Sequence, residues 1–378
     1  MHGAMQDLVT FDELRRSKSW AQWQQLSAGR SPILAPEFFA LNLPLAEPGE
    51  ALVARASGPG GLEGVLPMIR RGRTLLALRS DHVPVFDCAG DAAAVSGLWR
   101  AIDGTPGWDR MVLEHVPCAS PVATELPRLV AASGGRCRTL PGPRHMYFEL
   151  PGFEARLSPK MRSNLHRWER KLGSAELERV TSFSRSALEE AFTIEGLGWK
   201  SAAGTGIASD PKATWLYLAT ARLFARRGQL SLCFLRVRDR RVAMLYCVED
   251  AQAIYALKIG YDPELAAMAP GHVVVWKVAQ DAERRGLREL DLLGRDDEWK
   301  RRWTSSAHEH VTLVVYRGSP GGLLQYGLRE VAKPRLLPAL RRVRERLLPL
   351  PLEGASGAPG IGQRLAARLR AGLGTAAR

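Results

Sequence analysis

The chain has 378 residues, with 53 Lys+Arg against 39 Asp+Glu and a formal net charge of +14. Apolar residues make up 46% and charged residues 24%, an ordinary globular composition that excludes a disordered or fibrous chain for most of the length. No stretch approaches the roughly 18 apolar residues of a spanning helix, and residues 1–20 show no basic segment followed by an apolar run, so a cytoplasmic protein of one large or two ordinary domains is expected.

Residues 51–56 and 64–70 read as strands joined by the turn Gly58-Pro59-Gly60-Gly61, and 74–78 as a third strand running into the loop Ser80-Asp81-His82-Val83-Pro84. A helix is expected over 92–102, a strand over 110–116, a helix over 122–133 and a strand over 144–150. Residues 153–159 read as a junction. Ser158-Pro159 then opens a helix, since Ser can cap the first N–H groups and Pro fits the first turn. Met161, Leu165, Trp168 and Leu172 share one face of it, Lys160, Arg162, Arg167, Arg170 and Lys171 occupy the rest, and Gly173 ends it.

The second half repeats the alternation. Helices are expected over 186–196 and 211–227, and strands over 230–237, 241–249 and 253–260. Pro270-Gly271 precedes a helix over 272–285, followed by a strand over 287–293, a short helix over 298–303 and a last strand over 310–317. The first half has a similar rhythm without a residue-level repeat, which makes an internal structural duplication an expectation from pattern alone. From residue 317 on, 12 basic and 3 acidic residues give a net +9, leaving only +5 for the first 316. Segments holding Leu340, Arg341, Arg342, Arg344 and Arg346, and Arg364, Leu365, Arg368, Leu369 and Arg370, read as basic amphipathic helices for anionic lipid or nucleic acid, or as a solvated tail.

Five cysteines with no C-x-x-C pair support neither a disulfide framework nor a zinc ribbon; Cys233 and Cys247 read as buried small hydrophobes. No G-x-x-x-x-G-K-[ST] loop and no G-x-S-x-G elbow is present. His308 and His310 would share one face of a strand, but without a third ligand in the pattern they read as a polar strand start, and no metal is expected. What remains is a set of polar and aromatic residues at the ends of consecutive elements: Glu195 with Trp199-Lys200, Tyr255 and Lys258, Asp291 to Gly294, and Trp299 to Trp303.

Taken in order, Ser158-Pro-Lys-Met-Arg-Ser-Asn-Leu-His-Arg167 with Arg170-Lys171-Leu172, Glu195-x-x-x-Trp199-Lys200, Lys258-Ile-Gly-Tyr261-Asp262, Pro270-Gly271, Asp291-Leu-Leu-Gly294 and Glu298-Trp-Lys300-Arg-Arg-Trp303 resemble the FemAB-like, CelD-type branch of the GNAT acyltransferases. The resemblance covers about residues 20–317. It implies an α/β fold of two tandem GNAT-like domains (1–152 and 153–318, followed by a basic tail over 319–378), with mixed, mostly antiparallel sheets flanked by helices. It also implies an enzyme that moves an acyl group from acetyl-CoA or another acyl-CoA to an amine or hydroxyl, in cell-envelope or exopolysaccharide biosynthesis. Met268, Gly271 and His272 would then receive the CoA pyrophosphate at a helix N-terminus. The GNAT loop [Arg/Gln]-x-x-Gly-x-[Gly/Ala] is absent there, and Pro270 lacks an N–H. Aminoacyl-tRNA as donor, or a non-catalytic membrane-associated scaffold for polysaccharide export, are the alternatives.

Within that frame Glu195, Lys258 and Asp291 are the catalytic candidates. Glu195 would take the acceptor's proton, while Asp291 acts there or as a structural cap. Lys200, Lys258 and Lys300 would hold anionic groups, and Trp199 and Trp303 would line the acceptor pocket, with Tyr255 and Arg162 as further substrate-binding residues. The expected partners are a small-molecule or glycan-precursor acceptor and, through the tail, the inner face of a membrane.

Overall fold

The computed structural model describes residues 8–197 and 206–332. The strands are β1 (Leu8–Thr10), β2 (Glu50–Gly58), β3 (Gly61–Arg71), β4 (Thr74–Ala77), β5 (Arg110–Pro117), β6 (Arg136–Glu149), β7 (Ala175–Val180), β8 (Leu230–Val237), β9 (Arg240–Glu249), β10 (Ala253–Tyr261), β11 (Glu289–Asp291) and β12 (Ala307–Tyr316). The helices are α1 (Phe11–Arg15), α2 (Ser19–Leu26), α3 (Pro36–Asn42), α4 (Ala92–Gly104), α5 (Pro121–Ala132), α6 (Phe153–Arg156), α7 (Pro159–Leu172), α8 (Arg185–Gly196), α9 (Pro211–Arg226), α10 (Pro270–Arg284), α11 (Glu298–Arg301) and α12 (Pro320–Tyr326). Residues Gly327–Ala332 form a π-helical turn described by itself. No helix among the described residues is long and apolar enough to cross a membrane.

The strands form one ladder in the order β1-β2-β3-β4-β5-β12-β6-β11-β10-β9-β8-β7. Among the described residues only β4 with β5 and β10 with β11 are parallel; the other neighbours are antiparallel. The fold is therefore a mixed α/β arrangement with a large, mostly antiparallel sheet flanked by helices, as expected. The order β2-β3-β4, α4, β5 recurs as β8-β9-β10, α10, β11. Each half then exchanges its last strand: β6 pairs with β11, and β12 pairs with β5 and β6.

Strands β8 and β9 read as continuous apolar runs because both of their faces are covered. Leu232, Phe234, Met244, Tyr246 and Val248 join the core under α8 and α9, while Cys233, Leu235, Leu245 and Cys247 join the one under α7 and α10. Ser158 caps α7 by accepting the Met161 amide at 3.1 Å, and Met161, Leu165 and Leu172 are buried on its inner face. On α10 the buried set is wide, from Val273 through Trp276 to Ala282.

Several boundaries differ from expectation. β6 starts at Arg136, not 144, because Pro141-Gly142-Pro143 stays inside the strand where the β6–β12 register shifts between Glu309 and Val311. A Cβ at Gly142 would lie 2.9 Å from the His310 backbone, so the strands approach closely there. β11 is only three residues long, and the edge strand β7 and α1–α3 lie where no element was expected.

Candidate active site

Parallel pairing of β10 with β11 covers Ala253–Tyr255 and Glu289–Asp291 and then stops. On the β11 side, Asp291 Oδ1 accepts the Leu293 amide at 2.7 Å, and Leu293 turns the chain away with φ +44°. Lys300 holds that turn closed: its ammonium donates to the carbonyls of Leu293 and Arg295, the latter at 2.7 Å. On the β10 side, the register with β9 shifts between Ala256 and Lys258. Two strands that part in this way leave main-chain polar groups facing a slit rather than each other.

A cavity of about 350 Å³ opens at the parting. Lys258 and Ile259 form one wall, Leu292–Arg295 with Trp299 and Lys300 the other, and Asp81, His82 and Pro84 reach in from the first half beside Tyr217 of α9. His82 is fixed by Ser80, whose hydroxyl accepts the His82 amide at 3.1 Å and donates to Asn42 Oδ1 at 2.7 Å. His82 Nδ1 lies 3.2 Å from the Tyr217 hydroxyl, and the Lys258 ammonium sits 5.4 Å from the same ring's centroid. Burial, reinforced by Lys258, holds the His82 pKa below the usual histidine value. Burial and Glu195 push the Tyr217 phenol well up, so it stays neutral.

Of the residues singled out from sequence, Lys258 and Lys300 line the cavity, although the Lys300 ammonium is committed to carbonyls. Trp199 and Lys200 lie outside the described residues, as do the basic segments around Arg341 and Arg368. Asp291 is 4% exposed beside the slit, caps the turn, and is pushed up by burial to about 7. Glu195 is buried at the end of α8, where Oε2 accepts the Ile207 amide at 2.9 Å, and it is not among the cavity-lining residues. Gly260 of β10 packs against it so closely that a Cβ would fall 2.4 Å from Glu195 Cα.

Six of the expected site residues lie away from the cavity wall. Trp303 is not among the residues that line this cavity: it is core, stacked on Phe148 at 5.5 Å and 8°. Tyr255 turns from the cavity and donates to Asp250 Oδ2 at 3.0 Å. Arg162 donates to the Glu154 and Ala155 carbonyls, tying α7 to α6. His272 packs between Trp168 and Trp303 with Nδ1 accepting the Trp303 indole N–H at 3.2 Å, and burial pushes it down to about 4, so it presents no cation to a phosphate. Met268 and Gly271 flank the start of α10, with Gly271 against the Tyr261 ring, and neither belongs to the cavity wall. His82 is the cavity residue that sequence reasoning missed; its loop was visible, but nothing local ties it to Lys258.

Residues 159–301 match the family model described as an acetyltransferase (GNAT) domain. Among solved structures, FemX is 11% identical and superposes with a TM-score of 0.55 over 82% of this chain and 98% of its own. A conserved protein of unknown function from Bacteroides thetaiotaomicron VPI-5482 is also 11% identical, with a TM-score of 0.54 over the same shares. No curated protein matches the sequence. At such identities the two structures speak for the fold alone. Residues 159–301 are thus similar to a GNAT acetyltransferase domain, and the parted strands β10 and β11 lie within that matched segment.

Proposed function

We propose that this chain transfers an acyl group from acyl-CoA to an amine or hydroxyl acceptor on a cell-envelope or exopolysaccharide precursor, working in the cytoplasm at the inner face of the membrane. The observation that carries the reading is the slit between β10 and β11 of the matched segment 159–301, walled by Lys258 and, from the first half of the chain, by His82. In this reading the thioester lies in the slit with its carbonyl oxygen toward main-chain N–H groups, which stabilise the oxyanion as the acceptor attacks. His82 donates Nδ1–H to the Tyr217 oxygen and takes the acceptor's proton on Nε2. The C–S bond then breaks, and the departing thiolate recovers that proton. Glu195 becomes a positioning residue that fixes the end of α8 against β10. Residues 1–152 and 153–318 act as the two GNAT-like parts.

A second reading, aminoacyl-tRNA as donor, is favoured by one observation: α10 opens on Ala269 at φ +46° and Pro270, without a glycine-rich pyrophosphate loop. Melting the purified protein with acetyl-CoA and with longer acyl-CoAs separates the two. At about 100 times Kd a donor stabilises by roughly 2.7 kcal/mol, a shift of a few degrees at this size. No shift with any acyl-CoA, together with transfer that ribonuclease abolishes, would replace the first reading by the second.

A further inference from the structure

The two histidines of the His308-Glu309-His310 motif serve different partners. His310 Nδ1 lies 3.0 Å from the His308 carbonyl and 3.2 Å from that of Pro143, and its ring packs on His145. The His308 ring instead meets β11: Nε2 lies 2.8 Å from Glu289 Oε1, and one ligand-capable atom each from His308, Glu289 and Asp291 lie within 4.8 Å of one another. Glu289 and Asp291 stand two apart on β11, hence on one face, and β6 runs between them and His308. Asp291 is 4% exposed; Oδ1 takes the Leu293 amide, and no donor among the described residues reaches its other oxygen.

Two acidic side chains, one of them almost fully buried, converge on one imidazole. A protonated His308 supplies a single charge for two carboxylates. We propose that Glu289, Asp291 and His308 bind one divalent cation of the zinc class. Mixed imidazole and carboxylate donors suit zinc, whose tetrahedral ligand atoms at 2.0–2.1 Å stand about 3.3 Å apart, so small side-chain movements close the site. The surroundings orient the ligands. The Tyr147 ring lies flat on His308 at 4.0 Å and 12° without occupying either ring nitrogen, and the Leu293 amide fixes Asp291. The ion joins β11 to β12 across β6, at the strands the two halves exchange, and steadies the turn that walls the cavity.

The test is equilibrium dialysis of the chelator-stripped full chain against Zn²⁺ at pH 7.5, with melting temperature read in parallel. One Zn²⁺ per chain, a higher melting temperature with zinc, and at least a tenfold weaker affinity in both His308→Ala and Glu289→Gln are expected. Both positions are partly exposed, and a native circular-dichroism spectrum certifies each variant. Absence of stoichiometric zinc in the wild type, or equal binding by both variants, overturns the proposal and leaves a His308–Glu289 ion pair alone. The readout needs no acyl donor, so it stands or falls separately from the transferase reading.

Discussion

The two halves part their parallel strands in the same way and use the gap differently. Thr74–Leu76 pairs with Arg110–Val112, and Ala253–Tyr255 pairs with Glu289–Asp291, three residues in each case. A residue with positive φ stands beyond each parting, His115 at +60° and Leu293 at +44°. After β4, however, the chain folds back: Val83 and Phe86 are fully buried, the Phe86 amide donates to the His115 carbonyl at 3.0 Å, and Asp87 is anchored by Arg30 and Ser120. After Tyr255, β10 runs on as a strand to Tyr261, and its slit stays open. The loop that occupies the first half also walls the second, through His82 and Pro84. Duplication of an element order thus yields one occupied gap and one open one.

The sharpest way to break that comparison is His82→Gln. If the first half contributes the proton acceptor, kcat falls by about 10²–10⁴-fold, the usual range for losing a general base. Thiol release from acyl-CoA measures it. The wild-type rate should also fall with acidity only below the ordinary histidine pKa, because burial and Lys258 keep His82 neutral at pH 7. Unchanged turnover in His82→Gln would make the loop a wall and nothing more.

Trp303→Ala sharpens the same contrast from a core position that is not among the cavity-lining residues. As a core residue stacked on Phe148 it should cost about 3–5 kcal/mol, read as a lower denaturation midpoint. The acceptor KM of the folded fraction should not change. A raised KM with little loss of stability would return Trp303 to the acceptor pocket.

Those two residues also show what the sequence could and could not tell. The helix α7 was legible because Ser158-Pro159, the apolar face and Gly173 all agree; β8 to β10 were legible because double burial makes long apolar runs. The edge strand β7 was not: its Glu178 and Arg179 are spent on ion pairs with Arg241 and Glu249, so its composition resembles a loop. Thr10-Phe-Asp-Glu13 forms a capping box, a signal the sequence does carry, while the aromatic cluster it introduces (Phe11, Trp20, Trp23, Phe39) depends on tertiary packing. Lys258 could be picked out at a strand end. His82 could not, since its partners Tyr217 and Lys258 belong to the other half. Trp303 beside Arg301 and Arg302 reads like a stacking residue, and only the fold reveals which way it faces.

The smallest effect concerns the helices that follow the two hairpins. α4 starts on Asp91, whose carboxylate accepts the Ala94 amide at 3.0 Å, whereas α10 starts without a side-chain cap and holds a half-buried His272 in its first turn. The unfolded histidine titrates near 6.5, while the folded one is pushed down to about 4 by burial, with Arg302 adding to the shift. Between those values the unfolded chain binds more protons, so this group's contribution is intact above pH 6.5 and is lost as pH falls toward 4. The loss is on the order of 3 kcal/mol. Urea midpoints at pH 7, 5.5 and 4.5 should converge for His272→Gln relative to the wild type. If both proteins lose stability in parallel, the imidazole between Trp168 and Trp303 is already protonated in the native state, and its contact with the Trp303 indole is not the hydrogen bond described here.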